Sequence, residues 1–408
     1  MAIQSRFDRK NVALAAITAA ELLALALWFS AAAVAPQLQA AWSLSGGQVA
    51  WLTASVQLGF VVGALASAVA NLPDRLDPVR LFAASALAGA LVNAAIPLFV
   101  DGIGAALTLR FLTGVALAGV YPVGMKLMAG WCAHDRGFCV GMLVGALTVG
   151  SAAPHLLGAT FLREGGEGWR TVLLAASLSA LLAALLIALV VREGPAFRAR
   201  APFRVSQLAA SFRDRSVRLA NVGYLGHMWE LYAMWAWVPL FLLHVYQQAG
   251  WPEWSARLAA FAVIAIGGAS SLWAGRLADR HGRSIVTVVS LATSGVCAVV
   301  TGALAAVPAA ATAVALVWGF AVIADSAQYS SAITELADER YVGTALTVQT
   351  SMGFLLTLAS IRLTGYLVDV AGWGWAFVPL ALGPLVGAWG MLRLRRLPEA
   401  VRMAGGRG

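Results

Sequence analysis

The sequence predicts an all-α membrane protein with twelve transmembrane helices in two pseudo-symmetric six-helix halves. Three observations carry this. The 408-residue chain is 60% hydrophobic and only 12% charged, with apolar runs of about 20 residues, each long enough to cross a bilayer. Its cations sit in the joints between those runs. Matched points recur in the same order in the first and second half.

Runs dominated by Ala, Leu, Val and Gly, without the alternating pattern of a barrel strand, read as helices. Breaks at Gly, Pro and charge place the spans at residues 12–35, 48–70, 80–100, 103–128, 138–162, 170–191, 218–243, 256–277, 285–306, 309–333, 342–366 and 374–394. The first run follows Arg6, Arg9 and Lys10. It is longer than a signal-peptide core and carries Glu21, so it reads as a retained helix. The longest polar interruption, REGPAFRARAPFRVSQLAASFRDRSVR, separates spans 6 and 7. The expected division is therefore residues 1–191, a cytoplasmic linker at 192–217, and residues 218–408.

The formal net charge of +9 reports topology rather than nucleic-acid binding. Arg163, Arg170 and Arg257 fall on the outer side and Arg110 and Arg362 within spans, while the other Lys and Arg gather on the inner side. By the positive-inside rule both termini are cytoplasmic. Cys132, Cys139 and Cys297 have no metal-site spacing and read as apolar fillers or loop thiols. No cofactor is expected.

The halves look like copies. ELLALALWF from Glu21 matches ELYAMWAWV from Glu230, DRLDPVR from Asp74 matches DRHGRS from Asp279, and Trp169 matches Trp373. Duplicated membrane halves usually enclose a site near the bilayer midplane between them.

These features, with GRLADRHGR from Gly275, resemble the major facilitator superfamily over nearly the whole chain. The family's loop signature is met between spans 8 and 9 by Gly275, Asp279, Arg280, Gly282 and Arg283. Its counterpart between spans 2 and 3 is degraded to Ala70, Asp74, Arg75, Asp77 and Arg80. Arg110 and Gly114 match a span 4 spacing of the family. Gly141, Gly150 and Gly158 match its antiporter motif in span 5, where Pro154 and His155 replace the usual Gly-Pro pair. The resemblance implies that spans 1, 4, 7 and 10 line a central cavity. It also makes Asp74, Arg75 and the second-half loop residues a conformational latch, with Asp279 as its key acid.

A charge in a membrane helix costs about 2.5–3.5 kcal/mol on insertion scales, so each needs a partner, a wet cavity or a function. The intramembrane set is Glu21, Arg110, His155, His227, Glu230, Asp325 and Arg362. Seven residues are almost two helical turns, so Glu21 and Trp28 share a face about 10 Å apart, as do Glu230 and Trp237. Trp318 and Asp325 repeat the pair in reverse, which layers acids toward the cytoplasm and indoles toward the outside. Tyr121, Gln328 and Tyr329 fall on the same stripes. Arg110 is expected to pair with Glu21 or a bound anion, and His227 to bond Glu230 one turn away. Arg362 reads as a snorkelling residue, and Lys126 and Glu335 as interface residues.

The expected function is secondary transport of a small organic solute by alternating access, coupled to protons, with Glu230 and Asp325 as carriers and Glu21 structural or substrate-binding. Three carboxylates against one arginine among aromatic rings lean toward a cationic or amphipathic solute, the alternative being proton symport of a small anion. Span 2 lacks the arginine that the resemblance would require of a nitrate carrier. No Walker A, HExxH or GxSxG pattern supports an ATP motor or an enzyme. The short termini speak against a sensor with an output domain. The expected partners are the solute, protons and the lipid bilayer, with no nucleic acid, for a monomer in a bacterial inner membrane.

Overall fold

The computed structural model describes residues 2–132, 136–162, 168–195, 213–338 and 342–408; the side chains of residues 2–8, 136 and 137 are not described. Arg163, Arg340 and residues 196–212 of the central loop lie outside this set. All regular structure among the described residues is helical. Ten helices are long and apolar enough to cross a membrane. The two remaining spans, 1 and 7, carry Glu21 and Glu230 and pack into the same bundle.

Most spans are single helices: span 2 is Gly46–Val69, span 3 Pro78–Phe99, span 5 Arg136–Phe161, span 6 Trp169–Val190, span 7 Arg215–Gln248, span 8 Glu253–His281, span 9 Arg283–Thr301 and span 11 Val342–Ala371. The starts of spans 2, 3 and 7 are capped by side chains. Ser45 and Gln48 form a reciprocal capping box, and Asp77 accepts from Val79 and Arg80 with Pro78 in the first turn. Gly282, at φ +97°, turns span 8 into span 9, a backbone conformation that favours glycine.

Of the four spans expected to line the cavity, 1, 4 and 10 are irregular and span 7 is not. Span 1 is divided into Ala2–Leu25, Ser30–Ala33 and Ala35–Trp42, span 4 into Ile103–Leu117 and Tyr121–Trp131, and span 10 into Pro308–Ala324 and Ser326–Leu336. Span 12 begins with short turns and continues as Leu382–Arg395. Broken backbone survives in a membrane only where it is buried in protein or lines a wet cavity.

The halves meet along two seams, span 5 against span 8 and span 2 against span 11. In the first seam Gly145 and Gly268 face each other's backbone, and Ser271 donates to the Gly141 carbonyl at 3.1 Å. Cys132 and Cys139, read from sequence as fillers or loop thiols, are joined in a disulfide that bridges the end of span 4 and the start of span 5. Cys297 is free and buried.

Candidate functional site: a bundle centre with divided polar duties

The first duty is repair of span 1. Its break releases the Leu27 and Trp28 carbonyls into the interior of the first half. Arg110, fully buried on span 4, donates to both, and also to Leu52 O at 3.3 Å, Ser30 Oγ at 3.1 Å and Asn93 Oδ1 at 3.2 Å. Asn93 donates in turn to Leu173 O and Ser177 Oγ. The expected Arg110–Glu21 pair is therefore absent: the guanidinium donors are taken by neutral acceptors. Both Glu21 oxygens are buried without a hydrogen-bond partner, packed toward Gly124 and Phe82.

In the second half the acids do have donors. Glu230 accepts from Ser294 Oγ at 2.8 Å and from the Trp318 indole at 2.7 Å. His227 does not reach it. Instead its Nδ1 lies 2.9 Å from Asp325, which also accepts from the Tyr329 hydroxyl at 2.7 Å. Asp325 sits at the break in span 10, which turns it toward span 7. The stripes of indoles and acids meet here, since an indole of span 10 and an acid of span 7 share one hydrogen bond. Trp237 donates to Ile361 O at 2.9 Å and ties span 7 to span 11.

The centre between the halves is aromatic. Trp28 packs on Phe60, Tyr232 and Phe354 with ring centroids 5.0, 5.8 and 5.4 Å away, and Phe29 packs on Tyr232 and Trp235. Within and beside this box the Trp28 and Trp235 indole nitrogens and both amide atoms of Gln57 are buried without partners. Gln57 stands one turn before Phe60 on span 2. Of these residues only Trp28 was singled out from sequence. A search for charges passes over Gln57, although a lone amide in an apolar span is itself a signal, as is Asn93 in span 3.

On the inner side Asp74 pairs with Lys126, which also donates to Pro73 O. In the second half Arg283 holds Glu335 through two bonds of 2.8 and 2.6 Å and donates to Gln328 at 2.8 Å. Asp279, expected as the key acid, is 3.8 Å from Arg283 and exposed, as are Arg75 and Arg280. A Cβ on Gly275 would meet open space. Lys126 and Glu335, expected as interface residues, are thus paired with Asp74 and Arg283. Tyr121, half-buried, opens the lower segment of span 4.

On the outer side two arginines of the second half bond carbonyls of the first: Arg257 Nη1 to Ala33 O at 2.9 Å and Arg362 Nη1 to Gly47 O at 3.0 Å. Arg362 is exposed as a snorkelling residue would be, and also lies over the Trp51 ring. Arg257, placed outside by the sequence reading, is buried at the seam beside His155.

The Major Facilitator Superfamily profile matches residues 17–360. The chain belongs to that superfamily. It is 24% identical over 301 residues to the gallate transporter of Pseudomonas putida, an alignment spanning 66% of each protein. Shorter matches include an inner membrane metabolite transport protein of Escherichia coli, 39% identical over 75 residues, 18% of this chain and 17% of that protein. The chain thus aligns with less than two thirds of the length of these relatives, marginally so for the gallate transporter. Among solved structures, the proton:xylose symporter XylE bound to 6-bromo-6-deoxy-D-glucose superposes with a TM-score of 0.71 at 15% identity, covering 95% of this chain and 96% of that one. A bacterial homologue of the human lysosomal transporter Spinster, inward-facing and occupied, gives 0.73 at 16%, with 94% and 96% covered. This major facilitator protein is an integral, multi-pass membrane protein.

Proposed function

We propose that this chain carries a small, planar, aromatic organic solute across a bacterial plasma membrane in company with protons, with both termini in the cytoplasm. The observation that carries the reading is the aromatic box of Trp28, Phe60, Tyr232 and Phe354, built from both halves and edged by unpartnered indole and amide groups. A flat solute entering between these rings would replace ring–ring contacts with equivalent ring–solute contacts. The free Trp28 and Gln57 groups would then bond its hydroxyl or carboxylate oxygens, which also fits the gallate transporter among the relatives. The carboxylates are engaged or enclosed inside each half, which removes the main reason to favour a cation.

Proton coupling follows from the buried acids. An ionised carboxylate cannot stay in an apolar interior without a donor or a cation. Glu230 and Asp325 have donors, whereas Glu21 has neither among the described residues. The criterion that selects Glu230 from the sequence therefore selects Glu21 from the geometry. A proton on Glu21 neutralises it, and its release requires a conformation in which Glu21 meets water.

The test is uptake of labelled gallate or benzoate into proteoliposomes. An inward proton gradient should drive accumulation and a protonophore should collapse it. Trp28→Ala or Gln57→Ala should raise KM about tenfold, the loss of about 1.4 kcal/mol of binding, with expression unchanged. Uptake of organic amines with no response to aromatic acids would overturn the reading.

A further inference from the structure

We propose that Arg257 and His155 form an anion-binding subsite at the outer end of the seam between spans 5 and 8, separate from the aromatic centre. The two residues line one small cavity with Ala33 and Pro239. Arg257 is 95% buried by its 5% exposure and His155 is 2% exposed. Only Nη1 of the guanidinium is hydrogen-bonded, to the Ala33 carbonyl across the seam. Its Nε and Nη2 make no hydrogen bond, Nη2 having only the ion pair with Glu253, and Nε2 of His155 makes none either. Buried donors are nearly always satisfied, so three nitrogens without a hydrogen bond around one cavity define a place for an acceptor.

From the rim, where it is nearly half exposed, Glu253 forms an ion pair with Nη2 at 3.6 Å. Water screens that pair, and Nε of Arg257 and Nε2 of His155 face the cavity without an acceptor, so a small anion is the acceptor that fits both. Gln247 donates to Glu253 at 2.9 Å and holds it toward the rim. Gly158 lies against the Arg257 side chain, where a Cβ would sit in ordinary contact with it. The cavity has about 10 Å³ of free space, the scale of one water or one monatomic ion. A carboxylate needs the seam to part, and parting breaks the Ala33 bond and frees Nη1 as a further donor. Anion occupancy and closure of the outer side therefore compete for the same arginine. The shared chemistry is a single negative charge taken from a halide or from the carboxylate of an organic acid.

The experiment measures thermal unfolding of the full purified chain in detergent, at fixed ionic strength, with sodium gluconate replaced by sodium chloride or by sodium benzoate. A saturable rise of a few degrees in chloride identifies a halide site, and a rise in benzoate alone identifies a carboxylate site. The chloride rise should vanish in Arg257→Gln and persist in Gln57→Ala, which alters only the aromatic centre. A benzoate rise from the subsite should still be seen in Gln57→Ala and be lost in the double variant with Arg257→Gln. Should Arg257→Gln fail to fold, His155→Gln leaves the Ala33 bond intact and should raise the half-saturating concentration roughly fivefold, the loss of one hydrogen bond. The subsite is overturned if neither anion moves the wild-type protein, if His155→Gln leaves the half-saturating concentration unchanged, or if the chloride shift survives Arg257→Gln or the benzoate shift survives the double variant. A benzoate shift that survives Arg257→Gln and is lost in Gln57→Ala belongs to the aromatic centre and leaves the proposed function standing without the subsite.

Discussion

The two halves share a helix order and the same kinds of buried polar residue, yet they spend them in opposite ways. In the first half a buried arginine is consumed by neutral oxygens and the acid beside it is left alone. In the second half the acids are supplied with hydroxyl, indole and imidazole partners, and no arginine lies among them. The inner latches show the same inversion. The connection after span 2 offers an acid, Asp74, to a base on span 4, while the first residue of span 9, Arg283, offers a base to an acid on span 10. Duplication preserves where a charge sits along a helix; the sign and the partner are free to diverge as long as each contact closes. The break in span 1, which unbroken span 7 lacks, is what claims Arg110.

The largest expected effect breaks the comparison at that point. Arg110→Ala removes five buried hydrogen bonds at once. Although Ser30 can still donate to Leu27 O or Asn93 Oδ1, at about 1–3 kcal/mol for each buried group left unpaired the protein should lose most of its folded yield. Glu230→Gln keeps an oxygen for Ser294 and Trp318 and should shift unfolding by about 1 kcal/mol or less. Thermal unfolding monitored by size-exclusion chromatography compares the two, and equal losses would show that both halves depend on their charges alike.

Next in size is the coupling difference. In proteoliposomes Glu21→Gln should abolish accumulation driven by a proton gradient while leaving solute counterflow, which moves no net protons. Glu230→Gln should reduce accumulation only in part. The reverse pattern would return the proton to the second half.

The latches sharpen the comparison further. Asp74→Lys or Lys126→Asp alone places like charges together and should slow transport about tenfold, whereas the double exchange restores a pair and should recover most of the rate. Arg283→Glu with Glu335→Arg should behave in the same way, and Asp279→Asn should cost less than either single latch change. An Asp279→Asn defect as deep as that of Arg283→Glu would restore Asp279 as the key residue. The smallest effect is expected of Arg362→Gln, whose exposed bond to Gly47 contributes about 1 kcal/mol or less, read as a faster opening rate of the outer side.

The helical class, the twelve-span order and the duplication were legible because each follows from a local property: apolar length, the break residues and the charge of the joints. The connections around Asp74 and Arg283 were legible for the same reason, being motifs of contiguous residues. Glu21, Glu230 and Asp325 could be found as costly groups in an apolar environment. Their partners could not, because a helix displays its neighbours in sequence but hydrogen bonds are made to whatever the next helix presents. Tertiary packing alone decided that Arg110 serves the carbonyls of a broken helix, that His227 turns to Asp325, and that Arg257 enters the seam although it begins its span at the outer surface. Nothing around Ala26–Phe29 announces a break by Gly or Pro. The break persists because Arg110, 83 positions beyond Leu27 in the chain, supplies the donors that the helix gives up. A sequence determines which groups must be satisfied, and the three-dimensional arrangement of helices determines which group satisfies them.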